Sequence, residues 1–143
     1  MSTGRHRQYS QVQIQTANKG KLIVMLYQGA IRFMKKALLS LEKKDIEAKG
    51  NALIKAQDII LELLYALDQE MLDNGNELAL NLQRLYLYAY RRLVHANVQM
   101  DPEPVKEIIG IMTDLAQAWE NAATGDGGGD AAASSGPGVA LTG

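Results

Sequence analysis

The sequence predicts an all-α fold, an antiparallel up-down four-helix bundle, and three observations favour it. Apolar residues make up 47% of the 143 residues, which is normal for one globular domain of this length. Four segments of about 20 residues carry apolar side chains at steps of three and four, the spacing of one helix face. The loops between these segments are short, so consecutive helices should pack as antiparallel neighbours.

The composition divides the chain into an arm, a domain and a tail. Residues 1–17 are polar with isolated apolar positions, and we expect them to form a flexible N-terminal arm. Residues 18–123 hold all four periodic segments and should form the helical bundle domain. Residues 124–143 contain seven glycines beside alanine, serine and aspartate, without apolar periodicity. This last segment should be a disordered tail.

The first two predicted helices are joined by a short polar connection. The first begins at Asn18, whose side chain can cap exposed amides, and ends at Leu41. Asp45 caps the second, which follows a near-heptad apolar rhythm as far as Met71. A glycine on the buried side of the first helix, Gly29, would let a neighbouring helix approach closely. The predicted buried stripe of the first helix is Leu22, Leu26, Gly29, Phe33 and Ala37, widened by Ile23, Ala30, Met34 and Leu41.

The last two predicted helices are bounded by turn and cap residues. An Asp-Asn-Gly turn ending at Gly75 breaks the second helix, because glycine accepts a positive φ angle. The third helix runs from Asn76 to Met100. Asp101 then caps the fourth, which begins with Pro102 at a position where no amide hydrogen bond is lost. The predicted buried stripe of the third helix is Leu78, Leu82, Leu85, Ala89, Leu93 and Ala96.

A second apolar row makes the third helix unusual. Leu80, Leu87 and Val94 repeat every seven residues, about half a turn away from the predicted core stripe. A helix that is apolar on nearly all sides is either buried on all sides or exposed to a partner. Because a small bundle can hardly bury one helix completely, we expect this row to be a docking surface. Tyrosine and arginine residues beside it, such as Tyr88 and Arg91, are typical of binding hot spots.

Patterns for catalysis and metal binding are missing from the sequence. There is no cysteine, which excludes disulfides and thiol chemistry and fits a reducing compartment. His6 and His95 lack the neighbouring glutamate or histidine that helical metal sites use. The longest apolar run, residues 22–27, is too short to span a membrane. We therefore expect no enzyme, no catalytic residue, no metal site, no cofactor and no membrane insertion.

Charge is distributed unevenly along the chain and leaves two alternatives open. Residues 1–41 carry seven basic and no acidic residues, whereas the rest of the chain sums to −8. A basic segment can bind nucleic acid, but we favour packing beside acidic helices, which would neutralise its charge within the molecule. In the second alternative, the third helix is buried against its copy in a self-associating structural bundle.

Five stretches occur in an order that is characteristic of one family. They are residues 21–33 (KLIVMLYQGAIRF), 55–60 (KAQDII), 85–93 (LYLYAYRRL), Ala96-Asn97 and Ala118-Trp119. On these stretches the sequence resembles the flagellar secretion chaperones for flagellin, the FliS family, from about Tyr9 to Trp119. The tyrosine and double-arginine run over residues 85–93 is the most specific part. The chain departs from the family at residues 18–20, where Ser-Pro followed by an acid is usual, and at Gln28, where aspartate is common.

The resemblance implies a cytoplasmic bacterial export chaperone. Members of the family bind the disordered C-terminal segment of flagellin, prevent its premature polymerisation and assist its delivery to the flagellar export apparatus. The implied fold is an antiparallel helical bundle, and no catalytic residue or cofactor is required. The implied partners are flagellin and components of the export apparatus rather than nucleic acid, and we expect a monomer or a weak homodimer.

The exposed row on the third helix is then the predicted client groove, together with the margin of the second helix. We expect the N-terminal arm around Tyr9 to cover this groove when it is empty. The predicted partner-binding residues are Tyr9, Ile54, Leu61, Leu80, Leu87, Tyr88, Arg91 and Val94.

Overall fold

The computed structural model describes the backbone of residues 2–123 and the side chains of residues 19–122. Its helices are α1 (Ser2–Glu42), α2 (Ile46–Tyr65), α3 (Gln69–Asp73), α4 (Glu77–Gln99) and α5 (Pro102–Ala123). No strand occurs in residues 2–123, so the predicted all-α class is confirmed. The predicted tail, residues 124–143, lies outside the described residues.

The four long helices form the predicted antiparallel four-helix bundle. α1 packs against α2 and α5, and α4 packs against the same two helices from the other side. Short connections join α1 to α2 and α4 to α5, so each of these pairs is antiparallel. The short helix α3 lies in the connection between α2 and α4 and packs on α4.

Each long helix contributes large side chains to one hydrophobic core. Burying a leucine-sized side chain stabilises a fold by about 1.5–3 kcal/mol, so this core holds the bundle together. The largest fully buried side chains are Trp119, Tyr27, Tyr86, Met34, Leu53, Ile60, Leu63, Leu93, Ile108, Met112 and Val105.

The first helix is longer than predicted. α1 begins at Ser2, so the predicted start at Asn18 is wrong. The residues before Asn18 include no proline, and helical hydrogen bonding can therefore continue through them. Gly20 lies inside the helix where α1 passes close to α5, since a Cβ on Gly20 would lie 3.4 Å from the Trp119 ring. The flexibility of residues 1–17 stays a prediction.

The buried face of α1 includes three of the four residues predicted to widen the stripe, but it is rotated from the stripe itself. Leu22 heads that stripe, yet it is 39% exposed, whereas Tyr27 is completely buried. Residues 22–27 are apolar without interruption, so periodicity alone does not determine which side faces the core. The buried apolar residues of α1 are Ile23, Val24, Tyr27, Ala30, Met34 and Ala37.

The second predicted helix is divided in two, so its predicted end at Met71 is wrong. α2 ends at Tyr65, and α3 begins after Asp68. The Asp68 carboxylate accepts hydrogen bonds from the amides of Glu70 and Met71 at 2.9 and 3.3 Å. Aspartate in this role competes with the hydrogen bonds of a continuous helix. Apolar periodicity that continues through Met71 does not reveal this local competition.

The other predicted helix boundaries agree with the caps and turns in the structure. Gly75 has the predicted positive φ angle, 74°. Gly29 lies close to α2 as predicted, since a Cβ there would be 3.2 Å from Cδ1 of Ile59. The caps are Asp45 on the Ala48 amide, Asn76 on the Ala79 amide and Asp101 on the Glu103 amide, at 3.1, 2.9 and 3.0 Å.

Candidate partner-binding groove

An apolar row is exposed along α4. Leu87 and Val94 are 38% and 41% exposed, and Leu80 is half-buried. Residues seven apart lie almost directly above one another on a helix, so the three side chains form one line along the helix axis. The described helices therefore leave this line in contact with solvent, as the sequence predicts.

The relative register of α2 and α4 is set by Lys49. Its Nζ donates hydrogen bonds to the Oδ1 and the backbone oxygen of Asn97, at 2.6 and 3.0 Å. A Cβ on Gly50 would lie 4.0 Å from the same Asn97 Oδ1. The start of α2 therefore lies beside the end of α4, and the two helices are antiparallel.

A second apolar row lies on α2 beside the first. Ile54 is 51% exposed, and Leu61 is half-buried. Both helices rise by about 1.5 Å per residue and run in opposite directions from the contact of Lys49 with Asn97. Ile54 therefore lies near the level of Val94, and Leu61 lies near the level of Leu87.

These two rows line one groove, which we call the α2–α4 groove. The structure thus brings together most of the residues that the sequence predicts to bind a partner. Arg91 lies at the edge of this groove, four residues after Leu87, and is exposed. Arg91 forms no ion pair with any described residue. The groove residues are Ile54, Leu61, Leu80, Leu87 and Val94.

Tyr88 lies apart from the groove, on the side of α4 that faces α5. Its hydroxyl donates to Oε2 of Glu107 at 2.5 Å, and Arg92 Nε donates to Oε1 of the same carboxylate at 3.0 Å. The hydrogen bond from Tyr88, together with Arg92, holds the pKa of Glu107 below its ordinary value. The same hydrogen bond raises the pKa of Tyr88. Tyr88 therefore links α4 to α5, and its part in binding a partner stays a prediction.

Other exposed apolar residues extend the groove at both ends, and the sequence analysis missed them. Val98 follows Val94 by four residues and is 70% exposed, and Tyr65 follows Leu61 by four residues and is 77% exposed. The same helical spacing could have identified both residues. Tyr9 belongs to α1, but its side chain is outside the described residues, so its contact with the groove stays a prediction.

Beneath the groove, two tyrosines connect α4 to α1. The hydroxyls of Tyr27 and Tyr86 form a hydrogen bond of 2.5 Å, and both side chains are completely buried. Burial raises the pKa of Tyr27 to about 12 and also raises the pKa of Tyr86. The Trp119 indole N–H lowers the pKa of Tyr27, although it does not reach hydrogen-bond geometry with any described residue. The pair therefore joins the buried sides of α1 and α4.

Metal-binding and membrane-spanning features are absent from the described part of the chain. No group of three histidine, aspartate or glutamate residues there lies close enough to hold a metal ion. No helix within residues 2–123 is both long and apolar enough to cross a membrane. What the groove offers chemically is an apolar contact surface with charged edges.

Comparison with known proteins identifies the family. The model of the family described as flagellar protein FliS matches residues 1–126. The flagellar secretion chaperone FliS of Bacillus subtilis is 40% identical over 114 residues, which cover 80% of this chain and 82% of that protein. The flagellar secretion chaperone FliS of Salmonella typhimurium is 42% identical over 117 residues, 78% of this chain and 84% of that protein. With a match over nearly all of its length, the chain belongs to the flagellar protein FliS family.

Proposed function

We propose that this chain is a flagellar secretion chaperone that binds the disordered C-terminal segment of flagellin in the cytoplasm. It prevents premature polymerisation of the bound flagellin and assists its delivery to the flagellar export apparatus. The names of the similar proteins support the chaperone role, and the exposed α2–α4 groove supports the location of the binding site. No catalytic step is part of this function.

The exposed apolar groove is the observation that carries the proposal. Leu87, Val94 and Ile54 remain exposed although the same helices bury an extensive core. Leaving apolar surface in water is unfavourable by about 25 cal/mol for each Å². A partner that covers these side chains recovers this free energy, so the groove favours association with an apolar chain segment.

A disordered client suits this groove because its binding stays reversible. Each apolar side chain that becomes fully buried contributes about 1.5–3 kcal/mol. Ordering a disordered segment costs about 2–5 kcal/mol, which offsets part of that gain. The result is a complex that holds the client yet can release it for export.

Leu87→Asp tests the proposed binding site. We expect it to raise the Kd for a peptide of about 40 residues from the C-terminus of the host's flagellin by about thirtyfold or more, because an unpaired carboxylate is costly to bury. Isothermal titration calorimetry measures the Kd. Leu39 of α1 is also exposed and lies outside the groove, so Leu39→Asp is the matched control and should bind normally.

Circular dichroism, recorded before the titration, establishes that each variant is folded. A folded Leu87→Asp variant that binds the peptide as tightly as the wild type would refute the groove as the binding site. Failure of the wild-type chain to bind the flagellin peptide would refute the function itself.

Control of polymerisation is tested separately by light scattering of purified flagellin. An equimolar amount of the wild-type chain should delay filament growth, because the bound terminal segment is withheld from assembly. The Leu87→Asp variant should not cause this delay. An equal delay by both chains would contradict the proposed role of the groove.

A further inference from the structure

The two edges of the α2–α4 groove carry opposite charges. Arg84 and Arg91 are exposed on α4, and Asp58 and Glu62 are exposed on α2. The ion pairs among the described residues lie elsewhere, between Arg92 and Glu107 and between Lys106 and Glu103. The groove therefore has a basic rim and an acidic rim that do not pair with each other.

The basic rim lies on the side of the α4 apolar row that is farther from α2. Residues three before and three after a given helix position lie about 60° to either side of it. Val94 has Asn97, which contacts Lys49 of α2, on one side and Arg91 on the other. Arg84 lies seven residues before Arg91, so the two arginines share one line along the helix.

The acidic rim lies on the side of the α2 apolar row that is farther from α4. Gly50 precedes Ile54 by four residues and faces Asn97 of α4. Asp58 follows Ile54 by four residues and is exposed. Relative to Ile54, Gly50 is turned by about 40° around the helix toward α4, and Asp58 is turned by about 40° in the opposite direction. Asp58 therefore lies on the side of Ile54 that is farther from α4. Glu62 is a further four residues along and continues the acidic rim outward.

We propose that the charged rims set the direction in which a client helix docks, an inference that rests on the proposed function. The occupant is an amphipathic helix of the client with acidic side chains along one edge of its apolar face and basic side chains along the other. Its acidic edge lies along Arg84 and Arg91, and its basic edge lies along Asp58 and Glu62. End-for-end reversal of such a helix places each edge against like charges.

The arrangement of the rims favours a helix over an extended segment. A helix with its side chains is about 10–12 Å across, so its two edges reach both rims while its apolar face covers the rows between them. An extended segment points alternate side chains to opposite faces, so when one set enters the groove the other set faces solvent and neither set lies along the rims. The seven-residue spacing of Leu80, Leu87 and Val94 also matches the apolar repeat of a helix that packs in a groove.

The rim charges act on direction more than on total affinity. Each exposed ion pair contributes little by itself, but reversal of the client helix replaces several attractions by repulsions at once. We expect the favoured direction to be populated about tenfold over the reversed one at low salt. Salt screens exposed charges over about 8–10 Å, so the preference should weaken as salt is raised.

Two designed helical peptides of about 20 residues, with identical apolar faces, test the proposal. The first peptide carries glutamate along one edge and lysine along the other, and the second exchanges the two edges. The chain has no cysteine, so Asn51→Cys introduces a single site for a spin label near the Val94 end of the groove. Paramagnetic broadening of the peptide's NMR signals then reports which end of the peptide lies near the label.

The two peptides should dock in opposite directions on the wild-type chain. The exchanged-rim variant is Asp58→Lys, Glu62→Lys, Arg84→Glu and Arg91→Glu. On this variant both directions should be reversed. A charge exchange at exposed positions away from the groove, Lys35→Glu with Asp114→Lys, is the matched control and should change neither direction.

Docking of both peptides in one direction, or unchanged directions on the exchanged-rim variant, would overturn the inference and leave the proposed function standing. If neither peptide binds a chain that still binds flagellin, the inference is also overturned and the proposed function also stands. Light scattering that shows a dimer through this groove, dissociated by Leu87→Asp, would identify a second copy as the occupant and would also overturn the inference. Failure of the wild-type chain to bind flagellin instead removes the proposed function.

Discussion

Tyr27 and Tyr86 satisfy each other's hydroxyl groups in the centre of the bundle, although they lie 59 residues apart in the sequence. Their ring centroids are 6.4 Å apart and the rings are tilted by 47°, an arrangement in which aromatic rings attract each other. A buried hydroxyl that loses its partner destabilises a fold by about 1–3 kcal/mol. Each of these tyrosines therefore depends on the other.

Removal of either hydroxyl should reveal this dependence. We expect Tyr27→Phe and Tyr86→Phe each to lower the free energy of unfolding by about 1–3 kcal/mol, because each leaves the other hydroxyl unpaired. The double variant should lose clearly less than the sum of the two single losses. Urea denaturation measures all three variants, and additive losses would contradict the pairing. Tyr65→Phe, at an exposed position, is the control and should be nearly neutral.

The raised pKa values of the two tyrosines predict that the fold weakens in alkali. A tyrosine ordinarily has a pKa of about 10, but burial raises the pKa of Tyr27 to about 12 and also raises that of Tyr86. Above pH about 10 the unfolded chain therefore loses protons that the folded chain retains. Since the unfolded state then binds fewer protons, the free energy of unfolding falls as the pH rises.

Urea midpoints at pH values of about 8, 10 and 11 measure this fall. The contribution of the tyrosines is complete below pH about 10 and declines above it. Tyr86→Phe removes one of the two groups, so its stability should decline less steeply above pH about 10 than that of the wild type. An equal slope for Tyr86→Phe and the wild type would contradict the prediction.

The tyrosine pair could not be predicted from the sequence. Tyr27 lies within the apolar run of residues 22–27, where every side chain is a candidate for the core. Tyr86 is one of three closely spaced tyrosines on α4, and the sequence gives no reason to prefer it. Their contact depends on how α1 and α4 are rotated and spaced, which is set by the packing of the whole bundle.

Among the helices, caps and turns were predictable, but the separation of α2 from α3 was not. Asp45 caps α2, and Gly75 takes a positive φ angle, because these residue types act on the backbone within about four residues. Asp68 acts in the same way as Asp45, but it lies inside an apolar rhythm that continues past it. At Asp68 the apolar periodicity predicts a continuous helix, whereas local capping predicts a new helix start. The structure has the new start.

Lys49 connects the start of α2 to the end of α4. It is buried, and it donates to the backbone oxygen of Asn97 within the last turn of α4. Carbonyl groups at this end of a helix lack helical partners, and a positive charge beside them is favourable. This contact explains why a lysine is buried, and it spans 48 residues of sequence, which is beyond the reach of local patterns.

Two glycines inside helices should respond differently to alanine. At Gly110 of α5 a Cβ would meet no described atom within 4 Å, so Gly110→Ala should raise the free energy of unfolding by about 0.5–1 kcal/mol through helix propensity. At Gly29 the Cβ would lie 3.2 Å from Cδ1 of Ile59, so Gly29→Ala should gain less or lose stability. Urea denaturation measures both changes. An equal gain at the two positions would contradict close packing of α1 on α2.

In the molecule as a whole, the side chains that form the core and the side chains proposed to bind the client lie on different sides of the helices. α4 buries Tyr86 and Leu93 on one side and exposes Leu87 and Val94 on another. Client binding to the groove therefore requires no opening of the core. This separation is the reason that Leu87→Asp should remain folded.

The sequence was sufficient to predict the exposed row on α4 but not the complete groove. The row of Leu80, Leu87 and Val94 was predictable because its three apolar residues lie outside the stripe that faces the core. The hydrogen bond of Tyr88 to Glu107 of α5 could not be predicted, because the two residues lie 19 apart in the sequence on different helices. The charged rims likewise depend on the register between α2 and α4, which Lys49 sets.

The N-terminal residues are long enough to reach the whole groove. Residues 2–15 form the first part of α1, so they cover the groove only when this part of the helix unwinds. A fully extended chain spans about 3.3–3.6 Å per residue, so residues 1–15 would then cover about 50 Å. The groove runs along α4, whose 23 residues correspond to a helix of about 35 Å. If this segment competes with the client, only chains whose groove is open can bind it. The apparent Kd is then the intrinsic Kd divided by the fraction of chains whose groove is open.

Deletion of residues 1–15 should therefore raise the affinity or the association rate for the flagellin C-terminal peptide. Calorimetry measures the Kd and stopped-flow fluorescence measures the rate. The same deletion in a Leu87→Asp background should give no gain, because the competition takes place at the groove. Unchanged affinity and rate in the deleted chain would refute the arm as a lid, and the N-terminal residues would then act only as the beginning of α1.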